Sequence, residues 1–240
     1  MIIKSTDNKK IKMIKKLNNK KYRDEYKKFI IEGIHLVKEA YISGNLDEVF
    51  ILDGNDYKLD IPKTYITSDV LKHISNLNTP YDIIGICNYT KEKEIGDKVL
   101  ILDDIQDPGN LGTIIRSSVA FNVDTIILSN HTVDLYNDKV LRAAQGENFH
   151  INIIRCDLQE KIKYLKNNNY KIYGTNVVNG IDVKNIKNTK KYAIIMGNEG
   201  NGVSDKILSM CDENIYININ KKCESLNVAV ATSIILYELS

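Results

Sequence analysis

The chain has 240 residues, of which 43% are hydrophobic and 27% charged, a composition that can bury a sizeable core in one large or two smaller domains. No apolar run approaches the roughly 20 residues of a membrane-spanning helix, and the opening MIIKSTDNKKIKMIKK lacks the apolar core of a secretory signal. The four cysteines and four histidines are scattered, with no CxxC pair, so neither a disulfide framework nor a metal site is indicated. We therefore expect a cytoplasmic protein that binds neither membrane nor metal.

The formal net charge of +2 conceals an asymmetry along the chain. Residues 1–28 contain eleven Lys or Arg against three acids, so the remainder of the chain is net negative. A basic segment of this kind favours a nucleic-acid partner, because neutralising phosphates releases counterions; a solvated lysine-rich helix is the alternative. The candidate contact residues are Lys9, Lys10, Lys12, Lys15, Lys16, Lys20, Lys21 and Arg23.

The first part of the chain has the alternation of a small α/β unit of roughly 90 residues. Three apolar runs are predicted as strands: FIIEG (29–33), DEVFILDG (47–54) and YDIIGICNY (81–89). Two segments have helical spacing: HLVKEAYISG (35–44) and SDVLKHISN (68–76), the second with Ser68 as its predicted N-cap. The polar stretch TKEKEIGDK (90–98) is the predicted linker, which places one domain at 1–93 and a second at 98–240.

From Val99 onward the strand and helix patterns alternate more strongly. Six strands are predicted: VLILDD (99–104), DTIILSN (124–130), FHINIIR (149–155), YKIYGTNVV (170–178), YAIIMG (192–197) and NIYININ (214–220). Helices are predicted near 111–121, 138–146, 157–168, 204–211 and 225–238. This alternation indicates a mostly parallel sheet covered on both faces. Ligands of such sheets bind beyond the carboxyl ends of the strands, so the loops there are the candidate site.

The first candidate loop is LDDIQDPGNLGTIIRSS (102–118). A Pro-Gly turn follows the strand, and Asn110 occupies the expected cap position of a helix that begins near Leu111. Arg116 follows about a turn and a half later among apolar neighbours, where a guanidinium needs a partner. An ordinary N-cap and a surface arginine are the alternative interpretation.

The second candidate loop is MGNEGNGVSD (196–205). Its glycines allow the backbone to approach a ligand closely, but the spacing is GxxGxG and not the dinucleotide GxGxxG, and no GxxxxGK[ST] occurs. Glu199 is unusual there, because loops that bind phosphate avoid acids; it could accept a hydrogen bond from an amide, an arginine or a hydroxyl.

The third candidate segment is ESLNVAVATSIILYEL (224–239), an apolar helix with a polar start. Ser225 is the predicted N-cap. Capping alone explains Asn227, in the first turn, less easily.

Together these segments resemble the SpoU/TrmH-type branch of the SPOUT RNA methyltransferases, which methylate a ribose 2′-hydroxyl. The resemblance covers about residues 98–239, and its motifs read DPGNLGTIIR, IMGNEGNG and SLNVAVATSIILYE, with a similar VDLYNDKVLRAAQGENFH between them. Two departures stand out. The usual Ile-Pro-Met and Gly of the third-motif strand are Ile217, Asn218, Ile219 and Lys221 here, and Ala143-Ala144 replaces a frequent Ala-Ser pair.

The resemblance implies an α/β fold with a deep C-terminal trefoil knot, an exception among protein topologies. It also implies that S-adenosylmethionine is held by backbone groups at Gly197, Ile217 and Leu226. Members are usually homodimers with composite sites near the interface. Arg116 would activate the ribose hydroxyl or clamp a phosphate, and Asn110, Glu199, Ser225 and Asn227 would orient it and the ribose. Arg142 would contact RNA.

The N-terminal unit resembles the L30e-like substrate-binding domains of such enzymes, which favours large-subunit (23S) ribosomal RNA as substrate. A tRNA 2′-O-methyltransferase and a non-catalytic RNA-binding protein on the same fold are the alternatives. A Rossmann-type oxidoreductase would bind NAD, and a SPOUT enzyme that methylates a tRNA base is disfavoured by the SLN motif.

Overall fold

The computed structural model describes residues 2–176, 180–186 and 190–240. Its contacts divide the chain into two compact units. The first unit comprises Met1–Lys91 and Tyr136–Phe149, and the second comprises Glu92–Leu135 and His150–Ser240. The segment 136–149 lies within the predicted second domain, 98–240, but the structure places it in the first unit.

Twelve strands and nine α-helices are assigned among the described residues. The strands are β1 (Ile2–Ile3), β2 (Lys28–Glu32), β3 (Leu46–Leu52), β4 (Lys63–Ile66), β5 (Ile83–Asn88), β6 (Lys98–Leu102), β7 (Thr125–Leu128), β8 (Asn152–Arg155), β9 (Lys171–Thr175), β10 (Ile181–Asp182), β11 (Tyr192–Met196) and β12 (Glu213–Tyr216). The helices are α1 (Lys9–Lys16), α2 (Lys20–Tyr26), α3 (Ile34–Ile42), α4 (Ser68–Ile74), α5 (Pro108–Ala120), α6 (Asp138–Ala144), α7 (Leu158–Asn167), α8 (Asp205–Leu208) and α9 (Val228–Glu238).

The first unit contains a mixed sheet with the order β1-β4-β3-β5-β2. Strand β5 runs antiparallel to both of its neighbours, whereas β4 pairs in parallel with β1 and β3. The basic segment contributes to the core here: Asn8 caps α1 through the N–H of Lys10, and Ile11 and Ile14 are fully buried. Burying such a side chain stabilises the fold by about 1.5–3 kcal/mol, so the basic segment has a structural role as well as its charge.

An aromatic cluster explains why 136–149 belongs to the first unit. The Tyr136 ring stacks on Tyr89 with centroids 3.9 Å apart and lies 4.4 Å from that of Phe29. Its hydroxyl accepts a hydrogen bond from the Thr90 N–H at 3.0 Å, and Phe149 lies 6.1 Å from Phe29. Sequence periodicity carries no signal for such long-range ring contacts.

The second unit contains a seven-stranded sheet with the order β10-β12-β9-β11-β6-β7-β8, in which every described pairing is parallel. The predicted mostly parallel α/β fold is therefore confirmed. Helix α7 packs Leu158, Ile162 and Leu165 into the core beside strand residues of β6 and β11. Helices α5 and α9 pack on each other, with the Ser117 and Ser233 hydroxyls 2.8 Å apart.

Several predicted boundaries differ from the structure. Thr67 precedes α4, so Ser68 is its first residue and not its N-cap. Strand β12 ends at Tyr216, which leaves the second half of NIYININ in a loop. The predicted strand YKIYGTNVV corresponds to β9 up to Thr175, and Val177 and Val178 lie outside the described residues. No helix in the described part of the chain is long and apolar enough to cross a membrane.

Candidate active site

The candidate site forms where β6 and β11, which are neighbours in the sheet, end side by side. The Asp103 N–H donates to the Met196 carbonyl at 2.9 Å and extends the pairing by one residue. The loops that follow, 103–107 and 197–203, therefore meet at the carboxyl edge of the sheet, where ligands of parallel sheets bind.

Glu199 joins the two loops. Its Oε1 accepts hydrogen bonds from the Asp107 N–H and from Nδ2 of Asn110, both at 3.0 Å, and its Oε2 accepts from the Gln106 N–H at 3.1 Å. Of the donors considered for this acid, which were an amide, an arginine and a hydroxyl, the structure shows amides: two backbone N–H groups, the Asn110 side chain and, at 3.5 Å, Nδ2 of Asn198. A carboxylate that accepts several N–H groups fixes their positions strongly, because charge-assisted hydrogen bonds exceed neutral ones.

The charge state of Glu199 follows from these contacts. Partial burial raises the pKa of Glu199, but the hydrogen bonds from the Asn110 amide and from backbone N–H groups outweigh burial and hold the pKa below its ordinary value of 4.5. Hydrogen bonds to the charged form of an acid favour ionisation. Glu199 is consequently an anion at neutral pH and acts as an acceptor only, which suits a positioning role.

Asn110 connects Glu199 to the start of the C-terminal helix α9 through hydrogen bonds. Its Oδ1 accepts from Nδ2 of Asn227 at 2.9 Å, and Oδ1 of Asn227 accepts from the N–H groups of Ala229 and Val230. Glu199, Asn110 and Asn227 thus form a continuous chain of hydrogen bonds, which we call the amide relay. It brings together one residue from each of the three predicted motifs.

Two predicted caps are wrong. Asn227, not Ser225, is the N-cap of α9, and Ser225 lies exposed two residues earlier. Asp107, not Asn110, is the N-cap of α5, since its side chain accepts from the Asn110 N–H at 2.8 Å. Pro108 explains the second error, because proline is favoured at the first helical position and Asp before it is a strong cap.

The glycine-rich loop is a tight turn held by its own backbone. Asn198 and Gly202 exchange two N–H to carbonyl hydrogen bonds of 2.9 Å. A Cβ on Gly197 would lie 2.0 Å from the Gly202 carbonyl carbon and from the Val203 nitrogen. Glycine is required at 197 because the turn itself occupies the space of a side chain, whatever ligand binds nearby.

Asp104 is a further site residue that the sequence did not reveal. It is a non-glycine residue in the left-handed region, with φ 60°, a conformation that Asp tolerates better than most residues. Its carbonyl accepts from Nδ2 of Asn198 at 2.9 Å and from Nε2 of Gln106 at 3.1 Å, and its carboxylate accepts from the Ser129 hydroxyl. This conformation thereby ties both loops to the end of β7.

Arg116 does not join the amide relay. It is exposed on α5, and within the described part of the chain its guanidinium makes no hydrogen bond or ion pair. Six positions separate it from Asn110, about 240° around the helix axis, so the two side chains leave the helix on different faces. Among the described residues no hydrogen bond joins Arg116 to Asn110, Glu199 or Asn227, and the predicted role of Arg116 stays a prediction.

The loop 217–227 holds the remaining predicted residues. Ile217 and Leu226 are half-buried, and no hydrogen bond among the described residues engages the backbone N–H of either. Asn220 shapes the loop, since its Oδ1 accepts from the Lys222 N–H at 2.9 Å. Free backbone groups beside half-buried apolar side chains suit a planar, hydrogen-bonding ligand.

The predicted contact residues of the basic segment divide into two groups. Lys10 pairs with Glu48, Lys12 pairs with Asp7 at 2.7 Å, and Lys20 pairs with Asp24 at 2.5 Å. The second group is exposed and has no ion pair among the described residues: Lys9, Lys15, Lys16 and Lys21.

Two arginines among the predicted contacts are already engaged. Arg23 is only 7% exposed, and its Nη1 donates to the carbonyls of Leu17 and Asn18. That placement makes it a structural residue and disagrees with the surface contact that we expected. Arg142 pairs with Asp138 at 2.6 Å on α6, in the first unit. No cluster of metal-ligating side chains occurs among the residues that the structure describes.

Comparison with known proteins agrees with this geometry. A parallel α/β domain with a polar cluster at its carboxyl edge is an arrangement in which proteins bind ligands. The chain belongs to the SpoU rRNA methylase family, whose model matches residues 97–237. Residues 8–85 match the MRM3-like substrate binding domain. The family predicted from the three motifs is confirmed.

Individual relatives cover essentially the whole chain. The 23S rRNA (guanosine(2553)-2′-O)-methyltransferase RlmP of Bacillus subtilis is 40% identical over 99% of this chain and 98% of its own. The AdoMet-bound rRNA methyltransferase of Sinorhizobium meliloti superposes with a TM-score of 0.88 at 27% identity, covering 100% and 97% of the two chains. The SpoU methyltransferase AviRb of Streptomyces viridochromogenes shares the fold, with a TM-score of 0.88 at 21% identity over 97% of both chains.

Proposed function

We propose that the protein transfers a methyl group from S-adenosylmethionine to a ribose 2′-hydroxyl of RNA, with 23S ribosomal RNA as substrate. The observation that carries this proposal is the amide relay, which joins all three family motifs at the carboxyl edge of the parallel sheet. The relationship to RlmP supports the ribosomal substrate.

The residues present fit the cofactor. The backbone N–H groups of Ile217 and Leu226, which no other described residue engages, would hold its adenine ring together with the turn at Gly197. When bound, S-adenosylmethionine supplies an electrophilic methyl group for in-line displacement by the 2′-oxygen. Glu199 and Asn227 hold the loops of the site in place through the amide relay. The acceptor oxygen and the methyl group can therefore be aligned without rearrangement of these loops.

Arg116 is the residue that we assign to the reacting hydroxyl. A guanidinium stays protonated in proteins, so its role is to hold the neighbouring phosphate and to stabilise the negative charge that develops on the 2′-oxygen. The hydroxyl proton then leaves to solvent or to a base of the RNA. Ser225, exposed near the end of the loop 217–227 that leads into α9, would donate to the ribose.

The position of Arg116 supports a homodimer. Because Arg116 is exposed and makes no hydrogen bond to the amide relay among the described residues, a second copy would complete the site by presenting its arginine. Val230 on α9 is 49% exposed and Tyr237 is 65% exposed, and apolar surface of this kind favours an interface. We also propose the trefoil knot of the family for the C-terminal part and the cytoplasm as the compartment.

We assign residues 1–93 to substrate binding and residues 98–240 to catalysis, with 136–149 as a catalytic-domain segment that packs with the first unit. The test is to map 2′-O-methyl sites in total RNA from cells with and without the gene. Loss of one 23S site is expected. Loss of a tRNA site would move the assignment to tRNA, and an unchanged map would refute the proposed function.

A further inference from the structure

Helix α2 presents two parallel tyrosine rings on the surface of the first unit. The ring centroids of Tyr22 and Tyr26, one helical turn apart, are separated by 6.4 Å with planes inclined by 13°. Tyr26 is 39% exposed. Tyr22 is half-buried, and no hydrogen bond among the described residues engages the hydroxyl of either tyrosine.

The helix is anchored through a different residue. Arg23 is the buried residue of α2 and donates to the carbonyls of Leu17 and Asn18, while the Asn19 side chain caps the N–H of Lys21. These contacts fix the orientation of α2, on which Tyr22 is half-buried and Tyr26 is exposed. A rigid helix that presents one exposed and one partly exposed aromatic ring is a preorganised surface, because little side-chain entropy remains to be lost on binding.

Two lysines that have no ion pair among the described residues lie over the Tyr22 ring. The Lys16 ammonium lies 5.3 Å and that of Lys21 5.8 Å from the Tyr22 ring centroid. The acids nearby are mostly neutralised, since Asp24 is held by Lys20 and by the Tyr89 hydroxyl. Glu25 is the exposed acid of α2 that has no ion pair among the described residues, so the surface stays net positive.

We propose that Tyr22, Tyr26, Lys16 and Lys21 form a stacking platform for unpaired nucleotides of the RNA substrate. The inference rests on the proposed function for the identity of the ligand. Aromatic faces stack on bases of any sequence while lysines hold the phosphates. Exposed cation–π contacts are weak, so both lysines can turn from the Tyr22 ring to the backbone of the RNA when a base takes their place.

The platform predicts a preference for loops over duplexes. Bases inside an A-form helix are stacked on each other and their faces are unavailable, whereas the bases of loops and bulges can be splayed out. The nucleotides that contact the platform would therefore be unpaired in the bound RNA.

The experiment uses the full chain and two RNA hairpins of equal length, one with a loop of unpaired nucleotides and one almost fully paired. Binding is measured by fluorescence anisotropy and, in the loop, by 2-aminopurine quenching. Tyr22→Ala and Tyr26→Ala should each weaken loop binding about tenfold and leave duplex binding unchanged, and Tyr22→Phe should bind like the wild type. Lys16→Ala should weaken both RNAs and lower the slope of log K against log salt by about 0.7–0.9.

Tyr164 provides a matched control. It is 51% exposed on α7 of the second unit, with the Lys161 ammonium 5.3 Å from its ring centroid, so Tyr164→Ala removes an equivalent ring elsewhere. Unfolding curves confirm that each variant is folded. Equal losses on both RNAs, no loss for either tyrosine variant, or the same loss in Tyr164→Ala would overturn the platform.

Failure of the platform and failure of the proposed function give different results. If Tyr22→Ala binds loops like the wild type while the wild type still methylates ribosomal RNA, the platform is wrong and the activity stands. If the loop preference holds but no methyl group is transferred, the assigned chemistry fails and the RNA-binding surface remains.

Discussion

Replacing Glu199 by glutamine tests how the site is held together. The carboxylate accepts three hydrogen bonds of 3.0–3.1 Å, from the Asp107 and Gln106 N–H groups and from the Asn110 amide, and a longer one of 3.5 Å from Nδ2 of Asn198. The glutamine oxygen can keep two of these, but its NH₂ group must then face an N–H donor. Glu199→Gln therefore removes the charge and one hydrogen-bond acceptor with almost no change in side-chain size. It also places an NH₂ group against an N–H donor, which should displace the loop.

The size of the effect follows from these contacts. A hydrogen bond to a charged group contributes about 1.5–3 kcal/mol, and because Glu199 is largely exposed water compensates part of the loss, which leaves about 1–2 kcal/mol. That loss lowers Tm by roughly 2–8 °C. A displacement of Asn110 by 1 Å or less is enough to slow transfer by about 10–100-fold, because transfer requires an aligned geometry.

Calorimetry with S-adenosylmethionine, thermal unfolding and a methyl-transfer assay measure the three consequences separately. Glu94→Gln is the control, since Glu94 is exposed and its carboxylate has no partner among the described residues. Wild-type Tm together with wild-type transfer in Glu199→Gln would refute the role that we give to the relay.

Three further predictions follow from the same geometry. Gly197→Ala should destabilise the second unit by about 3 kcal/mol or more, because its Cβ would overlap the backbone of Gly202, and chemical denaturation that shows no loss would contradict the steric account. Arg116→Ala should fold and bind cofactor yet lose transfer by about 100-fold or more; near-wild-type turnover would remove Arg116 from the site. The folded pKa of Glu199 lies below 4.5, so its stabilisation is complete above that value and is lost as the pH falls through the folded pKa. The Tm difference between wild type and Glu199→Gln should accordingly shrink on acidification, and a difference that grows would reverse the sign of the argument.

Local sequence signals predicted the elements and motifs of the catalytic part well. Apolar runs bounded by Gly and Asp identify buried strands without tertiary information, and DPGNLGTIIR, IMGNEGNG and SLNVAVATSIILYE are each contiguous. The hydrogen bond between Asn110 and Asn227 was not derivable in detail, because it joins residues 117 positions apart. The motif resemblance indicated only that the two act together.

The errors have local causes as well. Ser225 and Asn227 are both residue types that favour an N-cap. Which of them caps α9 depends on the path of the loop 217–227, which local sequence does not reveal. The Asp-Pro pair at 107–108 was the signal that could have placed the start of α5 correctly. The left-handed conformation of Asp104 could not be predicted from the sequence. The contacts of the surrounding loops impose it, and these contacts join residues that are far apart in the chain.

The basic segment contributes to the core of the first unit and also carries the lysines predicted to contact RNA, and composition alone could not separate these two roles. Lysine counts predicted a polyanion partner, yet α1 buries Ile11 and Ile14, and Arg23 bonds to backbone carbonyls. Deleting residues 1–28 would therefore disrupt the first unit, so point substitutions in α1 and α2 are the better test of RNA contact.

The most direct test of the central claim is methyl transfer by the purified protein. Wild type is incubated with radiolabelled S-adenosylmethionine and 23S ribosomal RNA, and the labelled nucleotide is identified after nuclease digestion. The account predicts a single 2′-O-methylated nucleoside with wild type and about 100-fold less with Arg116→Ala. Label on a base, or equal label with the variant, would contradict it.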